Sequence, residues 1–272
     1  MSIATRSDAG FPDDVPQRLQ ALSVPLGLAL YAIYQAQLAH QVARTYLGQR
    51  TGSLVLEGLM GRGRSASLSA GIAFLDIREF TSLSHALGVT GMVPLLNAVF
   101  EAIDDAVRPL GGEILKLIGD AALVIFPLEE NDFVRLIEII GGLLSATASA
   151  EAATAALGQT LRVGVGFHIG EVLYGNVGSK RRHDFTVMGP AVNLASRLET
   201  LTKSLGADLV ISHAVAQSCR QTCGSPAEAE VVLNASVRSL DQVKVHGVPE
   251  SMRVWTLTRR GPVDPARGAE EC

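Results

Sequence analysis

The chain has 272 residues, 47% of them hydrophobic and 18% charged, enough for one domain or one domain with an extension, and a composition that excludes a disordered protein. Its formal net charge of -4 argues against a nucleic-acid partner, because neutralising a phosphate backbone takes a basic surface. The cysteines Cys219, Cys223 and Cys272 are odd in number and lack framework spacing, which suits a reducing, cytoplasmic setting, and nothing near them completes a four-ligand zinc site.

Residues 1 to about 16 are polar, with Gly10, Pro12 and Pro16, and predict a loose terminus. From Gln17 to Leu47 apolar residues recur at helical spacing (Leu19, Leu22, Leu26, Leu30, Ile33, Leu38, Val42, Tyr46), predicting one or two helices. The most apolar stretch, Ala21 to Tyr34, reads as too short for a bilayer and is interrupted by Pro25 and Gly27, so no membrane span is expected. Gly48 to Ser69 reads as a linker with a short helix around Leu54 to Met60. Ala70 to Leu75 predicts a buried strand that delivers Asp76 at its end, and a helix follows through Val107.

The runs Ile114–Ile118 and Ala121–Phe126, separated only by Gly119 and Asp120, predict a hairpin. Next come a helix from about Asp132 to Leu157, strands at Leu161–Ile169 and Val172–Val177, a basic tip Lys180-Arg181-Arg182-His183 and a strand at Phe185–Met188. A helix at Ala191–Leu205, a strand at Asp208–Ile211 and short strand-like runs over Ser236–Leu257 complete the chain, and the tail after Arg259 reads as disordered. Hairpins mixed with helices point to an α+β sandwich, with helices on one face of a largely antiparallel sheet. His168, between glycines in a strand, reads as a packed core histidine rather than a ligand.

Asp76 and Asp120 each sit where an apolar strand turns, and each is costly to bury without a partner, which a divalent cation would supply. Alone, Asp120 reads more simply as a turn residue. The helix start after Asp76 offers free backbone N–H groups around Phe80 and Thr81 to a phosphate. Lys116 interrupts an apolar strand, either snorkelling to solvent or reading a ligand. Asn193 and Arg197 lie four apart on one helix face.

Three passages resemble the signature of class III adenylyl and guanylyl cyclases: Phe74-Leu75-Asp76-Ile77-Arg78-Glu79-Phe80-Thr81; Gly112-Glu113-Ile114-Leu115-Lys116-Leu117-Ile118-Gly119-Asp120; and Phe185-Thr186-Val187-Met188-Gly189-Pro190-Ala191-Val192-Asn193-Leu194-Ala195-Ser196-Arg197. A fourth, Gly166 to Glu171 running on to Gly175-Asn176-Val177-Gly178, is similar to the family's central hairpin. The resemblance implies a ferredoxin-like sandwich of the class III cyclase type, with residues 1–65 a helical extension and linker, 66–260 the catalytic domain and 261–272 a disordered tail.

The implied reaction converts ATP to cyclic AMP and pyrophosphate. Asp76, Asp120 and the Ile77 carbonyl would bind two Mg²⁺ or Mn²⁺ ions, Lys116 and Thr186 would read the adenine edge, and Phe80 and Thr81 would face the phosphates. Asn193 would orient the ribose, and Arg197 would stabilise charge on the α-phosphate. Because the family's sites are completed across two subunits, a homodimer is implied, with a regulatory contact through the N-terminal helices. The chain departs from the family pattern at Glu79, where Gly is usual, and at His246, where a phosphate-binding Lys is frequent and for which Lys244 is a substitute. A guanylate cyclase and a weakly active or non-catalytic nucleotide-sensing homologue stay open as alternatives.

Overall fold

The computed structural model describes residues 8, 12–57, 65–129 and 132–260. The chain forms two compact units that divide between Glu57 and Gly58.

The first unit holds α1 (Val15–Leu47) and α2 (Gln49–Leu56). Gly48, at φ 87°, breaks the chain between them. The close packing of α2 on α1 depends on Gly52, where a Cβ would stand 2.8 Å from the Ala43 backbone. The short helix thus lies N-terminal to the expected Leu54–Met60, the last three residues of which fall outside the described set. Helix α1 runs on through Pro25 and well past Tyr34. Gln17–Leu47 is therefore, by length and composition, long and apolar enough to cross a membrane, contrary to the reading based on Ala21–Tyr34. Its apolar side chains, among them Leu22, Leu28, Leu30, Tyr31, Ile33 and Tyr34, are exposed.

In the second unit β1 (Ser65–Ile77) leads into α3 (Phe80–Val107), the hairpin β2 (Glu113–Ile118) and β3 (Ala121–Pro127), then α4 (Phe133–Ala156). Strand β4 (Val163–Gly178) and β5 (His183–Met188) precede α5 (Pro190–Leu205), β6 (Leu209–Ser212), α6 (His213–Cys219) and α7 (Pro226–Leu233), and β7 (Ala235–Val243) and β8 (Met252–Arg259) close the unit. The sheet runs β2-β3-β1-β4-β6-β8-β7, with β5 paired to the outer half of β4. Neighbours are antiparallel except for β4 and β6.

Two expected strands are in fact one. Leu161–Ile169 and Val172–Val177 were separated by Gly170 and Glu171, yet β4 passes through both because the long β1 pairs with it without a break from Ile77↔Val163 to Ser65↔Gly175. A ladder of that length supplies hydrogen-bond partners on either side of the glycine and overrides its weak local preference.

Ala73, Leu75 and Ile77 of β1, with Val163, Val165 and Phe167 of β4, face Leu95, Val99 and Ile103 of α3 and Ile139, Ile140 and Leu143 of α4, in one buried cluster. Helix α5 lies on the opposite face, where Leu198 packs with Ala207, Val210 and Val254. The helices thus cover both faces, not one. Alternation along β4 makes room for this: a Cβ at Gly166 would stand 2.1 Å from the Glu199 backbone nitrogen, so only a glycine admits α5 so close. On the α4 side Cys219 and Cys223 are buried and line a small apolar cavity with Ile137, Ile140, Ile211 and Trp255, and burial, with Cys223 nearby, pushes the Cys219 thiol up to about 12. Cys272 and the tail beyond Arg260 lie outside the described residues.

Between β1 and α3 the chain turns at Glu79, which takes a left-handed conformation (φ 58°, ψ 25°). A side chain there crowds its own carbonyl, at a cost of about 1–2 kcal/mol that glycine escapes. Replacing it, Glu79→Gly, is expected to stabilise the protein by about 1 kcal/mol, read as a higher urea midpoint at unchanged slope.

Candidate functional site

The ladder between β1 and β3 ends with Asp76 opposite Ala121, the residue that follows Asp120. Gly119 takes the first central position of the β2–β3 turn at φ 66°, a conformation that suits glycine, and sends Asp120 back toward the end of β1. Burial first, then the charge of Asp120 and a side-chain hydrogen bond with it, push Asp76 up to about 6, against a smaller pull from the Ile77 backbone N–H.

A third carboxyl faces them. Glu199 of α5 lies against β4 at Gly164, the register partner of Asp76, where a Cβ would stand 3.3 Å from Glu199 Oε1. Burial and the charges of Asp76 and Asp120 push Glu199 up to about 7, and Arg78 opposes them. Arg78 donates to the Thr202 carbonyl at 3.4 Å and to the Ala207 carbonyl. It thereby ties the last turn of α5, and Ala207 just past it, to the strand end that carries Asp76.

Asp208, 2% exposed, shows how this fold treats a purely structural acid. Burial pushes it up, but the Arg259 N–H at 2.9 Å and the Arg162 guanidinium at 2.7 Å hold it below the usual carboxylate range. Asp76 has a second acid where Asp208 has arginines. Two half-buried acids held together have the charge to accept a cation. The oxygen-only donor set suits a hard ion such as Mg²⁺ or Mn²⁺. Among the described residues no group of three or more His, Cys, Asp and Glu side chains is disposed around a common point, so the pair would bind such an ion together with backbone, water or phosphate oxygens.

The other expected site residues are spread over several elements. Phe80 and Thr81 open α3 directly after Glu79. Lys116 follows a register shift in β2 and forms an ion pair with Asp184 of β5. Thr186 stands two residues further along β5, half-buried. Asn193 and Arg197 are exposed one turn apart on α5, on the face opposite the buried Ala191, Ala195, Leu198 and Thr202. Lys244 and His246 are exposed in the turn after β7, at the far edge of the sheet, with β4, β6 and β8 between β7 and β1. One chain thus brings Asp76 and Asp120 together and Lys116 to the strand of Thr186, but it does not gather Lys244 and His246 to the Asp pair.

Reading the sequence missed Glu199 and Asp184. Glu199 follows Ala195 by four and precedes Thr202 by three, so its helical phase already put a charge on the buried face. Asp184 shares the face of Thr186 by simple strand alternation. His168, expected as a core residue, is bound through Nδ1 to Ser212 Oγ at 2.7 Å, and burial lowers it to about 4.

Residues 65–259 match the family model of the adenylate and guanylate cyclase catalytic domain. An adenylate cyclase of Anabaena cylindrica is 32% identical over 201 residues, which cover 72% of this chain and 38% of that protein. Adenylate cyclase 1 of Rhizobium meliloti is 30% identical over 153 residues, 54% of this chain and 23% of that one. The chain thus spans well under half the length of these relatives. Among solved structures, a bacterial light-regulated adenylyl cyclase superposes with a TM-score of 0.64 at 26% identity, over 86% of this chain and 63% of that one. The adenylyl cyclase CyaB of P. aeruginosa shares the fold, with a TM-score of 0.60 at 24% identity over 73% of this chain and 97% of that one.

A carboxyl whose folded pKa is about 6 against an ordinary 3.8 binds more protons folded than unfolded between those values, so its contribution to stability falls as pH rises through that window. Glu199, raised to about 7, acts in the same direction. In metal-free protein Asp76→Asn is therefore expected to melt above the wild type near pH 8 and to converge with it near pH 4, where the wild-type acids are protonated. Melting curves in chelator at both pH values check this, and a difference independent of pH contradicts it.

Proposed function

Because the chain belongs to the adenylate and guanylate cyclase catalytic-domain family, we propose that it is an adenylate cyclase, forming 3′,5′-cyclic AMP and pyrophosphate from ATP. The observation that supports this reading is the Asp76–Asp120 pair, two acids brought together at a strand end by the β1–β3 register and the Gly119 turn. These carboxylates, with the Ile77 carbonyl, would hold two Mg²⁺ or Mn²⁺ ions, which when bound supply Lewis acidity toward the ribose 3′-hydroxyl and the triphosphate. In the reaction the 3′-hydroxyl gives up its proton to water as its oxygen bonds to the α-phosphorus, the bond from the α-phosphorus to the α–β bridging oxygen breaks, and pyrophosphate leaves with that oxygen.

The chain's own groups would do the positioning. Backbone N–H groups at Phe80 and Thr81, at the start of α3, would meet phosphate oxygens. Lys116 would donate to adenine N1 and Thr186 would accept from the exocyclic amine, a donor and acceptor order that guanine does not match. Asn193 would hold the ribose, and Arg197 would meet charge gathering on the α-phosphate. Lys244 and His246 would contact the triphosphate. Asn193 and Arg197 point to solvent and Lys244 and His246 lie at the far sheet edge, which supports a symmetric homodimer in which each partner completes the other's site. The basic tip at Lys180–Arg182 is exposed and, with the net charge of -4, favours no nucleic-acid partner.

Purified protein with Mn²⁺ is expected to form cyclic AMP from ATP at least about tenfold faster than cyclic GMP from GTP, since a mismatched hydrogen-bond edge costs at least that factor. Cyclic GMP as the main product would make it a guanylate cyclase, and nucleotide binding without pyrophosphate release would make it a sensor. Asp76→Ala and Asp120→Ala are each expected to lower turnover by about 100-fold or more with an unchanged circular dichroism spectrum. Mixing Asp76→Ala with Arg197→Ala protomers is expected to restore about a quarter of wild-type activity, one sound site among the four formed by random pairing, whereas no recovery counts against sites shared between partners.

A further inference from the structure

The ion pair between Lys116 and Asp184 joins strands that are not neighbours. Strand β5 pairs with β4, and β3 and β1 lie between β4 and β2, so no backbone ladder brings these two side chains together. Lys116 stands just past the register shift in β2, and its ammonium meets the Asp184 carboxylate of β5. With side chains 30% and 51% exposed, the pair adds little to the stability of the fold. Its effect is geometric. A lysine ammonium on a four-carbon stem samples many positions, and a carboxylate at a fixed place on a strand selects one of them.

That place is set by alternation along β5. Phe185 and Val187 are buried, so Asp184 and Thr186 share the opposite face, and the Lys116 ammonium is therefore held on the face that carries the Thr186 hydroxyl. Asp184 accepts from one ammonium proton and leaves the others free to donate. We infer that Asp184 is a positioning residue for purine recognition, fixing the Lys116 ammonium beside Thr186 so that a donor and a hydroxyl meet a purine edge together. The inference rests on the adenylate cyclase reading and deepens its account of substrate choice. Held in this way, the ammonium meets N1, which accepts in adenine but carries a proton in guanine. Released, it is free to swing to the O6 and N7 acceptors of guanine. Asp184 thus contributes to discrimination without touching the base.

The test compares wild type, Asp184→Asn, Asp184→Glu, Lys116→Met and the double variant Asp184→Asn/Lys116→Met as full chains. The readouts are calorimetric Kd for 3′-deoxy-ATP with Mn²⁺, a nucleotide that lacks the attacking hydroxyl, and kinetics with ATP and GTP. Asp184→Asn is expected to raise Kd and KM for the adenine nucleotides about tenfold and to lower the ATP-to-GTP ratio of kcat/KM by about the same factor, the worth of one charge-assisted contact. The loss falls on KM rather than on kcat. Asp184→Glu recovers most of it, and in the Lys116→Met background Asp184→Asn has no added effect. Wild-type Kd and ratio in Asp184→Asn, or additive losses in the double variant, overturn the inference. Wild type that binds 3′-deoxy-ATP yet forms no cyclic AMP refutes the proposed function while the Kd comparison still decides the role of Asp184. Wild type that neither binds nor turns over ATP removes both.

Discussion

Two like-charged groups do not share a half-buried strand end without cost, and the second unit is arranged around enforcing that arrangement at Asp76 and Asp120. The acids cannot drift apart, because the β1–β3 register and the Gly119 turn fix where each backbone stops. Asp208, by contrast, is relieved by Arg162 and Arg259. The repulsion between Asp76 and Asp120 is therefore a standing feature of the metal-free fold, balanced by the apolar cluster under β1 and by the long ladder to β4. A divalent cation would turn the same arrangement from a cost into an attraction, which is the physical sense of a site held ready for its ion.

Most of the architecture was legible because its signals are local. The hairpin over residues 113–127 follows from two apolar runs and a two-residue break, and α3, α4 and α5 follow from periodicity. The errors came where tertiary pairing decides. Gly170 looks like a break until β1 pairs across it, and the placement of α5 on the second face depends on glycines at 164 and 166 whose meaning appears only when a helix lies over them. The short helices α6 and α7 carry little periodic signal over seven and eight residues and were not placed at all.

The candidate site was legible in its motif residues and opaque in their partners. Asp76 and Lys116 stand out as charges in apolar strands and Asp120 as the acid in a two-residue turn between such strands, a pattern that a single chain displays openly. Helical phase and strand alternation place Glu199 and Asp184, but the groups that give them meaning, Asp76 and Asp120 for one and Lys116 for the other, are distant in the sequence. Glu79 is the converse case. The absence of glycine there was plain in the sequence, but its left-handed backbone needed the structure.

The near-contact between Gly166 of β4 and the backbone of α5, together with the Arg78 clamp from the end of β1 onto the last turn of that helix, leaves little slack between sheet and helix. Strand β4 and α5 behave as one beam. Tilting this second unit therefore carries the exposed Asn193 and Arg197 through an arc without local hinging, so any signal that reorients the whole unit moves those side chains by leverage.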